Sequence, residues 1–203
     1  MDKYKGKEGY PFTSDFKAGD IIYSDTNGDG KMTSEDRVIC GSKDPKFTYG
    51  LNINAGWRGF DLSAIFTGAA GVSRFFNTQM YGEFSGDTTH PSTAWLDAWS
   101  TENPDGKMPR VAVNSPSSSM NTVSTFWIQN ANFLRMKSIQ LGYTFPSEWI
   151  KPSGLSNLRI YYSGENLFTI DNLMINVDPE APEGRGSHYP LVQTHSIGVN
   201  LTF

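Results

Sequence analysis

The sequence predicts an all-β fold, namely the C-terminal strands of a large antiparallel transmembrane β-barrel with long external loops. The first observation is the final strand: His195 to Phe203 alternates apolar with small polar residues and stops on an aromatic residue, a pattern typical of strands that close outer-membrane barrels. The second is that strands are joined alternately by short and long connections. The third is that no apolar run approaches the roughly 20 residues that a membrane-spanning helix needs.

A β-hairpin is predicted around Arg58-Gly59. The segments from Tyr49 to Trp57 and from Phe60 to Phe66 each alternate apolar residues with small or polar ones, and only these two residues separate them. A two-residue loop places Trp57 opposite Phe60, so the apolar sides of both strands match in register.

Three further strands follow. Ile139 to Phe145 alternates regularly, but Leu134 and Met136 stand on the opposite parity, which predicts a β-bulge near Lys137-Ser138 that keeps one face apolar. A fourth strand begins at Leu158 and continues through Phe168. The terminal strand is the fifth.

The connections predict an orientation. If Arg58-Gly59 is periplasmic, then connections 69–132 and 169–193 are external and 146–157 is periplasmic, as the short inner turns and long outer loops of such barrels require. Trp57 and Phe60 then lie at the inner interface, where aromatic girdles form.

Residues 49–203 carry the strands, and 1–48 form an external segment with a cation loop at 25–36. Because the smallest transmembrane barrels use about 8 strands, we expect the chain to be the C-terminal portion of a much larger one.

Two alternatives belong to other classes. A secreted, soluble, calcium-binding β-sandwich that binds carbohydrate would show the same alternation, but the apolar faces of its strands would meet across a core. A glycoside hydrolase fragment would need a pair of catalytic carboxylates. No local spacing among the loop carboxylates singles out two of them.

The composition excludes some classes of partner and of binding site. The net charge is −4 and no Lys/Arg cluster is present, which argues against a nucleic-acid partner. Cys40 is the single cysteine, so an intramolecular disulfide and a Cys-based metal site are excluded. No apolar leader follows the charged start from Met1 to Glu8, so either the protein is cytoplasmic or the chain begins inside a longer secreted one.

The sharpest chemical motif is the segment from Asp25 to Asp36, which matches a twelve-residue EF-hand loop. The predicted ligands at loop positions 1, 3, 5, 7, 9 and 12 are Asp25, Asn27, Asp29, the carbonyl of Lys31, Thr33 and Asp36. Gly30 supplies the sharp turn at position 6. Position 12 is Asp where an EF-hand has Glu, which should weaken the site. Because no amphipathic helices flank the loop, we expect the Ca²⁺ site to be structural rather than that of a calcium sensor. The alternatives are a site that binds Mg²⁺ and a turn that binds no metal.

Catalytic motifs are absent from the sequence. It contains no nucleophile elbow, zinc-protease motif, Cys-x-x-Cys pair or glycine-rich nucleotide-binding pattern. We therefore predict that the protein is not an enzyme.

Aromatic residues of the long connections are candidate contacts for a sugar ring or a partner protein. Trp95, Trp99 and Tyr189 belong to this group, since an aromatic face buries apolar area while a polar edge stays wet. Trp95 and Trp99 are four residues apart after Ser92, which predicts a short capped helix presenting both on one face. Packing within a folded loop is the alternative for each residue.

Six ordered blocks, together spanning nearly the whole chain, resemble the C-terminal third of SusC/RagA-type TonB-linked outer-membrane proteins of Bacteroidetes. The blocks are Gly19–Lys31 with Asp36-Arg37, Pro45–Gly50, Gly59–Ser63, Trp99–Pro104, Phe133–Tyr143 and Gly164–Phe168. The resemblance implies a 22-stranded barrel in the cell outer membrane that imports glycans or peptides. It also implies energy supplied through TonB and a SusD-like lipoprotein as external lid. No TonB box, plug domain or signal peptide lies in these residues, so TonB would act through the missing N-terminal part.

Overall fold

The computed structural model describes residues 17–31, 33–75, 92–111, 124–182 and 189–203. The strands in these ranges are β1 Phe47–Trp57, β2 Phe60–Ala70, β3 Ser73–Phe75, β4 Ile128–Asn130, β5 Phe133–Thr144, β6 Asn157–Asp171 and β7 Thr194–Thr202. The helices in the same ranges are one α-helix, Ser147–Ile150, and the 3₁₀ helices Ser34–Asp36, Thr93–Asp97 and Lys151–Ser153. None of these helices has the length and apolar character needed to cross a membrane. The all-β prediction is confirmed.

A five-stranded antiparallel sheet organises the chain, in the order β1-β2-β5-β6-β7, and β3 pairs separately with β4. β1 begins two residues before the predicted strand, at Phe47, whereas β2 and β6 run on to Ala70 and Asp171, into the predicted connections 69–132 and 169–193. These ends are paired, Phe47 with Ala70 and Phe133 with Asp171. Cross-strand hydrogen bonding therefore sets the strand ends, which side-chain alternation alone does not mark.

The predicted hairpin between β1 and β2 is confirmed. Trp57 pairs with Phe60, and the two loop residues Arg58 and Gly59 both have positive φ, 49° and 89°. Positive φ at both central residues is the type I′ geometry, whose twist matches that of the flanking strands. Gly59 adopts this geometry without strain, and the Arg58 guanidinium lies 4.9 Å from the centre of the Trp57 ring.

The predicted bulge in β5 is also confirmed. Met136 pairs with Phe66 and Ser138 with Ile65, so Lys137 is an extra residue relative to β2. On the other side Met136 pairs with Phe168 and Ser138 with Glu165, so Asn166 and Leu167 of β6 stand opposite Lys137. The bulge restores Leu134 and Met136 to the face that carries Ile139 and Leu141, as the alternation requires.

One face of the sheet, here called the apolar face, is made of large hydrophobic side chains in cross-strand pairs. Leu51 pairs with Phe66, Leu62 with Leu141, and Ile160 with Val199. These side chains do not form a core: Leu51 is 57% exposed and Val199 is 54% exposed. In the part of the chain that the structure describes, the apolar face does not meet a second sheet across a core. The β-sandwich alternative required such a core, so the fold argues against it.

The opposite face, here called the polar face, carries small and charged residues. The Nε of Arg159 on β6 donates to Oδ1 of Asp61 on β2 at 3.0 Å, reaching across β5. This reach needs Gly142, because a Cβ there would collide with both side chains. The Tyr161 ring covers Gly198 in the same way on the neighbouring strand pair. Long side chains thus lie over glycines of the neighbouring strands, and they cover this face without a hydrophobic layer.

The buried core lies among the long connections rather than on the apolar face. Trp95, Met108, Trp127 and Ile175 form one cluster, and Ala69, Val72, Ala131 and Phe133 form a second. Leu173 packs against both. The connections β2–β5 and β6–β7 therefore fold together into one packed unit at the end of the sheet where β2 stops and β5 starts.

Candidate functional site

The predicted cation loop is organised by its first aspartate. Oδ1 of Asp25 accepts a hydrogen bond from the Gly28 N–H at 2.7 Å, and Oδ2 accepts one from the Gly30 N–H at 2.8 Å. Gly28 and Gly30 have φ of +77° and +81°, a region in which L side chains are strained. The glycines at loop positions 4 and 6 thus let the backbone turn tightly around the Asp25 carboxylate.

The next two predicted ligands form short local turns. Oδ1 of Asn27 accepts from the Asp29 N–H at 3.0 Å, and Oδ1 of Asp29 accepts from the Lys31 N–H at 2.7 Å. Such Asx turns fold the backbone in steps of two residues. Residues 25–31 therefore wind around a common centre, although Met32 lies outside the described residues.

Asp36 closes the loop. Its Oδ1 accepts from the Thr26 N–H at 2.8 Å and its Oδ2 from the Thr33 N–H at 2.7 Å, tying position 12 to positions 2 and 9. The hydroxyl of Thr33 in turn accepts from the Glu35 N–H at 3.2 Å, which caps the 3₁₀ helix Ser34–Asp36. The hydrogen bonds from Thr33 and then Thr26 hold the pKa of the Asp36 carboxyl below its ordinary value of 3.8.

The chemistry of this donor set fits a hard divalent cation. Each ionised carboxylate has about four lone-pair sites, so Asp25 and Asp36 retain acceptor capacity beyond their two backbone hydrogen bonds. Ca²⁺ takes carboxylate, amide and backbone carbonyl oxygens, and this loop contains all three types. In the described ranges, however, no three acidic, histidine or cysteine side chains converge into a metal-binding cluster. The cation site stays a prediction.

The pH dependence of the loop follows from Asp36. Because its pKa in the folded loop is lowered, its two N–H hydrogen bonds stabilise the loop fully above pH 3.8, and this stabilisation is lost as the pH falls below 3.8 through the lowered pKa. We expect pepsin to cleave residues 25–36 slowly at pH 4.5 and faster near pH 2, measured against Asp36→Asn. The variant should be cleaved readily at both pH values. Equal cleavage of the two proteins at pH 4.5 would contradict this.

A cavity of about 1270 Å³ adjoins the cation loop. Thr26, Thr33 and Asp36 form one wall, and Trp99 and Phe126 contribute to the other. Its walls are joined by an ion pair in which Nε of Arg110 donates to Oδ1 of the buried Asp20 at 2.5 Å. Gly19, with φ +86°, lies against the Trp99 ring, where any Cβ would collide. The cation loop and the connection containing Trp99 are therefore fixed to each other.

The three candidate aromatic contacts have different environments. Trp95 is buried in the core cluster, Trp99 is half-buried in the cavity wall, and Tyr189 is 87% exposed. The predicted short capped helix bearing both tryptophans is wrong: a 3₁₀ helix, Thr93–Asp97, ends before Trp99, and the Ser92 side chain makes no capping hydrogen bond. The Trp99 N–H instead donates to the Met108 carbonyl at 2.8 Å. This long-range backbone pairing competes with helix continuation.

Two arginines with functional potential, Arg135 on β5 and Arg74 on β3, were not predicted from the sequence. Arg135 is 2% exposed and contacts Thr169, Asp178 and Glu180. The sequence does hint at Arg135, because it is a charged residue inside a predicted strand, at a position that alternation assigns to the polar face. Arg74 lines a second, smaller cavity together with Glu180.

Sequence comparison finds TonB-dependent receptors. TonB-dependent receptor P3 of Formosa agariphila is 26% identical over 204 residues, covering 94% of this chain and 20% of that protein. TonB-dependent receptor SusC of Bacteroides thetaiotaomicron is 29% identical over 188 residues, covering 90% of this chain and 17% of that protein. The chain spans about a fifth of the length of the curated relatives it matches. No family model matches it.

Structure comparison agrees with the sequence. The RagAB peptide transporter has a TM-score of 0.66 and 25% sequence identity, over 100% of this chain and 22% of that chain. The RagAB peptide importer in its closed-closed state gives the same values. The predicted resemblance of this chain to SusC/RagA-type TonB-linked outer-membrane proteins is thereby confirmed in both sequence and fold.

Proposed function

We propose that this chain is the C-terminal part of a TonB-dependent outer-membrane transporter that imports glycans or peptides. The observation that carries the proposal is the five-stranded antiparallel sheet with an exposed apolar face, in a chain similar to TonB-dependent receptors over most of its length. Lipid is the solvent in which such a face is stable, and water in a lumen suits the polar face. Transport involves no covalent chemistry, which agrees with the prediction that the protein is not an enzyme.

The orientation follows from the connections. Arg58-Gly59 and the 12-residue step from β5 to β6 would be periplasmic, while the packed unit formed by the two long connections would be external. At the periplasmic end the Phe60 and Tyr143 rings lie 4.6 Å apart and the Tyr143 and Phe145 rings 4.9 Å apart. Aromatic groups of this kind anchor barrels at the membrane interface.

The remaining barrel strands would pair with β1 and β7. In the described sheet these two strands are the edges, and lipid tolerates no unpaired sheet edge. A plug and the TonB contact would come from the part of the protein that precedes this chain. A SusD-like lipoprotein would cover the external connections, in keeping with the similarity to SusC and to RagAB.

Matched lysine substitutions on β7 test the membrane orientation in the full-length protein. Val199→Lys places a charge on the apolar face, and Asn200→Lys places the same charge on the polar face. A lysine on the lipid side costs about 2–4 kcal/mol at mid-membrane and less toward the interface, so we expect Val199→Lys to lower the amount of protein in the outer-membrane fraction severalfold. Asn200→Lys should leave it unchanged. Equal effects would overturn the orientation.

Uptake tests the transport function directly. Cells with the intact protein should accumulate labelled oligosaccharides or oligopeptides, and dissipating the proton gradient or deleting TonB should abolish accumulation. Affinity purification of the intact protein should also recover the SusD-like lipoprotein. Uptake that persists without TonB would refute the proposal.

We further propose that the loop 25–36 holds a structural Ca²⁺, with Asp25, Asn27, Asp29, the Lys31 carbonyl, Thr33 and Asp36 as ligands. Calorimetric titration of the intact protein should show Ca²⁺ binding that Asp25→Ala weakens at least tenfold, because the variant loses a charged ligand and the hydrogen bonds to Gly28 and Gly30. The exposed Asp44→Ala is the matched control. A parallel titration with Mg²⁺ tests selectivity, and an absence of heat with both ions would exclude the site.

A further inference from the structure

The second cavity, of about 420 Å³, lies where β1 and β2 meet the packed connections. Thr48 and Thr67 line it from the polar face, Arg74 from β3, and Glu180 from the β6–β7 connection. In the transporter proposed above, this position is the external mouth of the lumen, where cargo enters. The inference below therefore rests on the proposed function.

Arg74 differs from the other arginines that the sheet and its connections bury. Arg110, Arg135 and Arg159 each form an ion pair with a carboxylate. The Nε of Arg74 is buried and has no hydrogen-bond partner, and no ion pair joins Arg74 to any of the residues that the structure describes. A donor of this kind is costly to bury without an acceptor.

The carboxylate that the described residues contribute to the cavity wall, Glu180, is already engaged. Glu180 Oε2 accepts a hydrogen bond from Nη1 of Arg135, and Oδ1 of Asp178 accepts one from Nη2 of the same guanidinium at 2.5 Å. Two carboxylates thus surround Arg135, while Arg74 lines the same cavity as Glu180 without an anion of its own. The cavity presents an uncompensated guanidinium.

We propose that Arg74 binds a carboxylate group of the imported cargo. A guanidinium matches a carboxylate by parallel N–H donors, and the hydroxyls of Thr48 and Thr67 offer further donors in the cavity wall. Two classes of cargo bring this group: a peptide, through its C-terminus or an acidic side chain, and a glycan that contains uronic acid. The chemistry at Arg74 is the same for both.

Paired probes distinguish the two sources. N-acetyl-pentaalanine is compared with N-acetyl-pentaalanine amide, and trigalacturonic acid with its trimethyl ester, by calorimetric titration of the purified full-length transporter. Each neutral probe keeps the backbone of its acid and lacks the negative charge. We expect the acid of at least one pair to bind about tenfold or more tightly than its neutral partner, because a charge-assisted hydrogen bond contributes binding free energy of this size. The pair that shows this preference identifies the class of cargo that supplies the carboxylate.

Substitutions at Arg74 test the residue itself. Arg74→Gln should abolish the preference for the acid and leave the affinity for the neutral probe unchanged, and Arg74→Lys, which keeps the charge without the planar fork, should retain part of the preference. The matched control is Arg58→Gln, which removes the same charge in the β1–β2 turn at the opposite end of β1. It should keep the full preference.

Several results would overturn the proposal. The first is that the acid and neutral probes of both pairs bind with equal affinity or do not bind detectably. The second is that Arg74→Gln keeps the full preference for the acid. The third is that Arg74→Gln lowers the affinity for the acid and for the neutral probe equally. If Arg74→Gln and Arg74→Lys both fail to reach the outer membrane, Arg74 is a structural residue and the proposal is wrong. None of these results affects the lysine test on β7 or TonB-dependent uptake, so the two proposals fail separately.

Discussion

Trp127→Ala is expected to release the packed connections, because the substitution lowers the free energy of unfolding by about 3–5 kcal/mol. Trp127 is 0% exposed and lies in the cluster with Trp95, Met108 and Ile175, and its ring meets the Phe126 ring edge-on at 4.6 Å. Alanine would leave a cavity that the surrounding residues, held by separate segments of the chain, fill only in part. Proteolysis of the intact protein under native conditions measures the effect, because cleavage follows the population of the opened state.

Cleavage within residues 92–111 should become about 100-fold faster or more in Trp127→Ala, since each 1.4 kcal/mol corresponds to a factor of ten. Trp149→Ala removes the same side chain from an exposed position on the short helix Ser147–Ile150 and should change the rate less than twofold. Similar rates for the two variants would show that the cluster does not stabilise the connections.

Arg135→Met is expected to free the β6–β7 connection from the sheet. The Arg135 side chain is 2% exposed; its Nε donates to the Thr169 hydroxyl at 3.0 Å, and its guanidinium lies 5.2 Å from the centre of the Phe133 ring. Breaking a buried ion pair from one side costs about 3–5 kcal/mol. We expect about 2–3 kcal/mol here, because Asp178 and Glu180 are 17% and 55% exposed and water can solvate them after the change.

A second substitution separates charge from packing. In Arg135→Met the Asp178 carboxylate, which also accepts the Glu180 N–H at 2.9 Å, loses its main partner. Asp178→Asn added to that variant should restore part of the protection of residues 172–182 against protease, whereas Asp178→Asn alone should reduce it. If the two changes simply add, the ion pair does not hold the connection.

The strands were predictable from the sequence because their signal is local. Alternation over a few residues fixed the β1–β2 hairpin, the parity change at Leu134 and Met136 located the bulge at Lys137, and Leu158 to Phe168 was continuous as predicted. In each case the side-chain period of two reports the backbone directly. Strand ends were less accurate, as the extensions to Ala70 and Asp171 show, because pairing depends on the partner strand.

The candidate site was predictable only in part. The spacing of Asp25 to Asp36 located a tightly wound loop, since Asx turns and glycines act within a few residues. Trp95 and Trp99, by contrast, were expected on one helix face and lie in a core cluster and a cavity wall. Their positions depend on Met108 and Trp127, and helix periodicity carries no information about such distant partners.

The sequence by itself determined the five strands of the main sheet, the two faces of that sheet, the tight winding of residues 25–31 and the resemblance to SusC/RagA-type proteins. Tertiary structure alone decided how the connections pack and which charges they bury. Asp20 and Arg110 are 90 residues apart, Arg135 and Asp178 43, and Asp61 and Arg159 98. No local pattern encodes such pairs, because they form only once strand register and loop packing have brought distant segments together. That is the physical reason why Arg74, which has no carboxylate partner among the described residues, could be recognised only in the folded chain.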